Sequence, residues 1–292
     1  MKTRKILAVL MAALMIAFAF AACGGDPEKA KEVASNMSET ISGVAEQASN
    51  AIDEVMTGSD LEYVKNKGTL VVGITEFEPM DYQDADGKWI GFDADMATAF
   101  AENLGVTVEF QIIDWDNKVF ELNSKNIDCV WNGMTLTDEV KGSMACSNAY
   151  CNNAQVVIVP ADTADQYQTV ESVKDLTFAV EAGSAGKKEV EKLGYKFVEV
   201  ADQATALLEV SSGNADAAVI DSLMAAAMVG EGTNYATLTY TVGLNSEEYG
   251  VGFRKGSDLA NELNQFFAAK YADGTLTASA ETYKIQAALI EQ

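Results

Sequence analysis

The chain has 292 residues and a formal net charge of −24, with hydrophobic and charged residues in globular proportion. That length allows two lobes with a full core, and that charge argues against nucleic acid or an anionic membrane surface as a partner. The absence of histidine excludes Ser-His-Asp and Cys-His catalysis and every histidine-based metal site, while three prolines among many small residues point to compact α/β packing.

Lys2, Arg4 and Lys5 precede the apolar run Ile6 to Phe20, which is too short to span a bilayer comfortably. The run ends in Phe20-Ala21-Ala22-Cys23, followed by Gly24-Gly25. This resembles a bacterial lipoprotein signal, with Phe20 where leucine is more usual. The resemblance implies a signal peptide over 1–22, cleavage before Cys23 and lipidation of Cys23, anchoring the protein extracytoplasmically to a bacterial cell membrane. Residues 23–60 are polar and acidic, and Val33, Met37, Ile41 and Val44 begin a thin apolar stripe that continues to Val55. They read as a helical tether, with a coiled coil or partner-binding helix as the alternative.

The folded part is expected from Leu61. Thr69 to Ile74 reads as a strand and Thr75 to Met80 as an irregular turn. Asp86-Gly87 reads as a hairpin turn between Met80–Gln83 and Lys88–Ile90. Asp84 and Asp86 do not make a calcium loop, because the distal bidentate glutamate is missing. A helix is expected from Asp93 to Gly105, with Met96, Phe100 and Leu104 spaced by four. A strand over Val106–Ile113 and a helix over Asp116–Ser124 follow. In Asn126 to Val140 the first half alternates like a strand, Gly133 permits a turn, and Thr135 and Thr137 offer hydroxyls that cap a helix start. Strand, small polar turn and helix N-terminus are where an α/β sheet places ligands. In the second half, Thr177–Glu191 and Lys196–Gly213 read as strand–turn–helix units, and Leu259, Leu263, Phe266 and Phe267 make the tail helix amphipathic. Cys146 and Cys151 bracket a turn at Ser147–Tyr150, so they either form a disulfide or remain buried free thiols with Cys129.

The order of several motifs resembles the extracytoplasmic amino-acid-binding proteins of ABC importers, family 3 of the extracellular solute-binding proteins. These are Gly68 to Gly73, Glu78-Pro79-Met80, Gly91-Phe92-Asp93, Asn126-Ile127-Asp128 and Thr135-Leu136-Thr137, then Val180 to Gly186, Gly213 to Ala218 with Asp221, and Tyr249 to Gly252. The resemblance implies an α/β, two-lobed periplasmic-binding-protein-like (type II) clamp with two hinge crossovers that closes on a small ligand. Lobe 1 is expected over 61–159 and 248–292 and lobe 2 over 160–247, with Gln155–Pro160 leading into the first crossover and Val251–Lys255 returning.

The resemblance also implies roles at the site. Phe77 and Trp115 sandwich a ligand side chain. Asn132, Gly133 and Thr135 form the first-lobe binding turn, with Gly133 contributing main chain and Thr135 its hydroxyl. Ser184 sits in a turn that can offer backbone N–H groups to a carboxylate, and Asp221 receives the ligand's α-ammonium. The family usually has arginine where this chain has Val140, so either the carboxylate is held without that fork or the ligand lacks an α-carboxylate. Glu76, Glu78 and Glu181 with Asp221 would make the site net negative and favour a cationic amino acid or an amine; each glutamate facing solvent is the alternative. The expected function is that of a monomeric lipoprotein delivering an amino acid to an ABC permease, with no enzyme activity, cofactor or metal. The alternatives are an amine binder, a sensory clamp and a dehydratase-like enzyme.

Overall fold

Helix α1 (Asp60–Lys67) begins the described chain, which is residues 59–292 of a computed structural model. The signal expected over 1–22, the lipidation site Cys23 and the tether up to residue 58 lie outside them. Ser59 caps α1 by accepting from the Glu62 amide, Asp60 and Glu62 occupy the first turn, and Lys65 and Lys67 the last. Charges so placed oppose the helix dipole at both ends.

The first lobe then follows the expected order. Strand β1 (Thr69–Ile74) leads through the Thr75–Met80 turn to the hairpin β2 (Tyr82–Gln83) and β3 (Trp89–Ile90). Asp84 Oδ1 accepts from the amides of Asp86 and Lys88 at 2.9 Å each, so the acid holds the hairpin turn. Helix α2 (Phe92–Leu104) buries Met96, Phe100 and Leu104 and ends at left-handed Gly105. Strand β4 (Thr107–Ile112) precedes a 3-10 turn at Trp115–Asn117 and the short helix α3 (Lys118–Asn123). The strand read over Asn126–Asn132 contracts to β5 (Cys129–Val130). Its neighbours remain buried: the amides of Asp128 and Trp131 still donate to the Val71 and Gly73 carbonyls, and Asn132 bonds through its side chain as described below. Helix α4 (Asp138–Ser143) is capped by Thr137, whose hydroxyl accepts from the Val140 amide at 3.2 Å. Thr135 does not share that capping role. Strands β6 (Ala145–Cys146) and β7 (Cys151–Asn153) follow. Cys129, Cys146 and Cys151 are all free thiols, so the pairing considered for Cys146 and Cys151 is absent.

The second half runs β8 (Gln155–Pro160), β9 (Thr177–Glu181), α5 (Ala185–Leu193), β10 (Lys196–Val200), α6 (Gln203–Ser211), β11 (Ala217–Asp221), α7 (Ser222–Met228) and β12 (Leu238–Gly243). The chain returns through β13 (Glu247–Tyr249) to β14 (Gly252–Phe253) and ends in α8 (Leu259–Ala272) and α9 (Thr275–Thr282). Two five-stranded sheets result, one ordered β4-β1-β5-β14-β6 and the other β10-β9-β11-β8-β12. Each sheet is the base of one lobe, and β7 pairs antiparallel with β13 between them. Gln155–Pro160, read from the sequence as the approach to the first crossover, is β8 of the second sheet. Its unbroken apolar run is that of a strand flanked by β11 and β12 and buried on both faces. The return strand is correspondingly β13, and Gly252–Phe253 already belongs to the first sheet.

The tail closes the first lobe's core. Trp131 meets Phe267 at 5.6 Å between ring centroids, and Phe100 meets Phe266 at 5.4 Å. Each such ring contributes roughly 1.5–3 kcal/mol by burial. Below this core an ion network ties α1 to the segment that follows β14. Arg254 Nε donates to both carboxylate oxygens of Asp60 at 2.9 and 3.0 Å, and its Nη2 reaches Asp128 Oδ1 at 3.2 Å. Lys67 and the Val71 amide also donate to Asp128. Ser59 Oγ and the Leu61 amide donate to Asp258, next to α8.

Candidate functional site

The two lobes close on a cavity lined from both sides. Phe77, Trp115, Asn132, Gly133, Thr135, Glu181, Ser184 and Asp221, all expected at the site, line it. Glu76 and Glu78 do not. Glu76 stands instead where burial and the charge of Asp202 raise its carboxyl pKa.

On the first-lobe wall, Phe77 is buried and packs edge-on against Tyr249, with ring centroids 6.3 Å apart. Gly133 lies beneath that ring at φ +54°, and a Cβ there would sit 2.4 Å from Phe77 Cε1. Only glycine fits both the dihedral and the contact. Its amide donates to Asp93 Oδ2 at 2.7 Å, which also accepts from Tyr150 OH at 2.7 Å. Burial pushes the Asp93 carboxyl up to about 7. Asn132 lines the cavity, yet its amide is engaged within the lobe. Oδ1 accepts from the amide and hydroxyl of Thr75, and Nδ2 donates to the Thr75 carbonyl and to Asp81. It braces the binding turn. Thr135 Oγ1 donates to Glu247 Oε1 at 2.8 Å.

Trp115 forms an apolar part of this wall with Met134 and Val140, which pack in one cluster. Lys118, one helical turn after Trp115, lies with its Nζ 4.8 Å from that ring. The ammonium donates to the Trp115 carbonyl at 2.9 Å and across the cleft to the Gly183 carbonyl at 3.0 Å. Burial lowers its pKa to about 8.

On the second-lobe wall, Glu181 ends β9 and is 2 % exposed, and its Oε1 has no hydrogen-bond partner. Burial first, then the charges of Asp221 and Asp202, raise its pKa to about 8. Ser184 caps α5, its hydroxyl accepting from the Lys187 amide at 3.0 Å. Asp221 precedes α7 but makes no capping bond with its side chain. Oδ1 accepts from Asn153, from Gln155 at 2.9 Å and from Tyr249 OH at 2.9 Å, and Oδ2 accepts from Gln203. Burial and the neighbouring Glu247 raise Asp221 to about 8. Glu247, on the hinge strand β13, accepts from the same Asn153 and Gln155 amides at 2.7 and 2.8 Å. A hinge carboxyl therefore connects Thr135 of one wall to Asp221 of the other.

The net-negative lining expected from the sequence is corrected by two cations. Lys118 and Lys188 line the cavity beside Glu181 and Asp221, and Lys188 also pairs with Glu139 across the cleft. Lys118 had a readable signal in its spacing from Trp115. Gln203 and Glu247 had none beyond Glu247 lying next to the Tyr249–Gly252 motif. Among the described residues no group of three or more acids or cysteines is placed to hold a metal ion, and no helix is long and apolar enough to cross a membrane.

The family model described as bacterial extracellular solute-binding proteins, family 3, matches residues 70–286. The L-cystine-binding protein TcyJ of Escherichia coli is 31% identical over 76% of this chain and 85% of its own. Holo ArgBP from T. maritima superposes with a TM-score of 0.65 at 34% identity, covering 70% of this chain and 91% of that one. A histidine-bound ABC uptake transporter substrate-binding protein from Streptococcus pneumoniae superposes with a TM-score of 0.71 at 30% identity, covering 78% and 96%.

Proposed function

The chain belongs to family 3 of the bacterial extracellular solute-binding proteins, and we propose that it captures a cationic amino acid for an ABC importer. The observation that carries this reading is the Glu181 carboxyl, buried at the cavity with one oxygen unpartnered. A buried carboxylate with no cation bonded to it is costly; Lys118 acts on Glu181 only through space, and a ligand cation is the group that relieves the cost. Asp221 faces the same cavity, and its Oδ2 accepts only from Gln203. A basic amino acid brings two cationic groups, an α-ammonium for Asp221 and a side-chain cation for Glu181. Phe77 and Trp115 supply apolar walls that exclude water and attract a cation through their faces. The relatives' names, which include cystine, arginine and histidine binders, support the amino-acid class.

Uptake follows from closure. A ligand that touches Asp221 and Glu181 on one wall and Phe77, Gly133 and Thr135 on the other binds the closed form better than the open one, and so shifts the population toward it. The closed form is what an importer's permease reads. Lipidation at Cys23 would hold the clamp beside that permease, and no turnover of the ligand is part of this reading.

Calorimetry of the full-length protein tests it with L-arginine, L-lysine and L-ornithine against L-glutamine and L-glutamate. Basic amino acids should bind on the order of a hundredfold more tightly than L-glutamine, and Glu181→Gln should remove most of that preference. Equal or tighter binding of L-glutamine by the wild type would sink the cationic reading. Chemical conversion of the bound ligand would replace capture with catalysis.

A further inference from the structure

We infer that Lys118, with Lys188 as a second cation, forms the subsite for the ligand's α-carboxylate, in place of the arginine that related proteins usually carry at the position of Val140. The inference rests on the amino-acid reading and deepens it, because it decides that the ligand keeps its carboxylate.

The first support is the setting of Lys118. Its side chain is buried, at 9 % exposure for the residue, and its ammonium bonds only to the neutral carbonyls of Trp115 and Gly183. An ammonium has three donors, so one remains, and among the described residues no carboxylate pairs with it. Glu181 acts on it through space without bonding it, and a buried cation bonded to carbonyls alone calls for an anion. The burial that lowers its proton affinity acts in the same sense, since an incoming carboxylate would restore it.

The second support is position. Gly183, to which Lys118 bonds, precedes Ser184, the cap of α5. The first amides of α5 have no acceptor within the helix and face the same side of the cavity through Ala185. Lys188, on the next turn of α5, lines the cavity as well, although its charge is shared with Glu139 across the cleft, which makes it the lesser cation of the two. Val140 is 5 % exposed and packs with Trp115, whose ring lies under the Lys118 ammonium. A small side chain stands where an arginine fork would project, and a lysine from the neighbouring helix brings the charge to the same wall. The cavity thus has a cationic part, Lys118 and Lys188 with the α5 amides, and an anionic part, Glu181 and Asp221. That division fits a zwitterionic amino acid and disfavours a simple amine.

Matched acid and amine probes test this on the full-length protein: L-arginine with agmatine, L-lysine with cadaverine, and L-histidine with histamine. The wild type should bind at least one acid about a hundredfold more tightly than its amine. Lys118→Met should weaken the acid by about 10–100-fold and leave the amine within about threefold, while Lys118→Arg restores most of the acid's affinity. Lys188→Met should do the same to a smaller degree. The ligand-free melting temperature of each variant reports that it is folded. An amine bound as tightly as its acid by the wild type overturns the carboxylate subsite and leaves the cationic clamp standing. Equal loss of acid and amine in Lys118→Met overturns it too, assigning Lys118 to lobe closure. Silence of every acid and amine overturns both this subsite and the amino-acid reading.

Discussion

Asp128 and Glu181 are both buried acids near the ends of strands, and the protein treats them in opposite ways. Asp128 receives Arg254, Lys67 and the Val71 amide. Glu181 receives no bonded cation and keeps an unpartnered oxygen. The first acid lies in the base of one lobe, where its network joins α1 to Arg254. The second lies where two lobes meet. An acid neutralised by the protein's own cations serves the fold, whereas an acid left without one is a place for a partner that arrives from outside.

The comparison can be broken most forcefully at Arg254. Arg254→Met leaves Asp128 and Asp60 without their shared cation and should cost about 3–5 kcal/mol in urea unfolding. The folded fraction should bind ligand as before. A change below about 1 kcal/mol would show that Asp128 needs no internal counter-ion.

Glu181→Gln should act on the other side, lowering L-arginine affinity by about 2–3 kcal/mol in calorimetry without destabilising the ligand-free protein. Marked destabilisation would place Glu181 with Asp128 as a structural acid.

Protons act on the acids of the cleft as well. Glu181 and Asp221 are raised to about 8 and Asp93 to about 7, so the folded protein holds more protons than the unfolded chain between the ordinary carboxyl range and those values. The stability from these groups is complete below about pH 4 and is lost as pH rises through about 8. Ligand-free melting temperature should therefore fall between pH 6 and pH 8. L-Arginine affinity should rise from pH 6 to about pH 7, as Glu181 becomes free to ionise, and level off toward pH 8, where Lys118 begins to lose its proton. A flat ligand-free profile would contradict the assignment, and a shallower one in Glu181→Gln would sharpen it. The smallest effect is expected at the solvent-facing pair Lys187–Glu199, 3.0 Å apart, where Glu199→Gln should change stability by less than about 1 kcal/mol.

Local chemistry made much of the fold readable. The Asp86-Gly87 hairpin, the Thr137 cap and the Leu259–Phe267 face each depend on residues close in sequence, and each stands where the pattern placed it. Gln155–Pro160 was misplaced because an apolar run states that a strand is buried and does not state in which sheet. At the site, Phe77, Trp115 and Gly133 were legible through motif order. Lys118 was less so, since its meaning depends on a carbonyl 65 residues away that lies across the cleft. Glu247 was invisible for a similar reason. Two of its three amide donors come from the other hinge strand and the start of β8, and one acidic residue among several nearby carries no mark of that position. Asn132 errs in the other direction: its place in the motif was right, but its amide braces the turn.

The Ser59–Asp258 and Asp60–Arg254 contacts also settle how mechanical load enters the molecule. The chain arrives at the first lobe and is bolted there at once. The carboxyl-terminal helices pack on that same lobe, and the amide of Ile290 near the very end donates to the Tyr150 carbonyl at 2.8 Å. The second lobe hangs as a closed loop from β7 and β13. A pull on the chain at Ser59 is therefore borne by the door frame and not by the door.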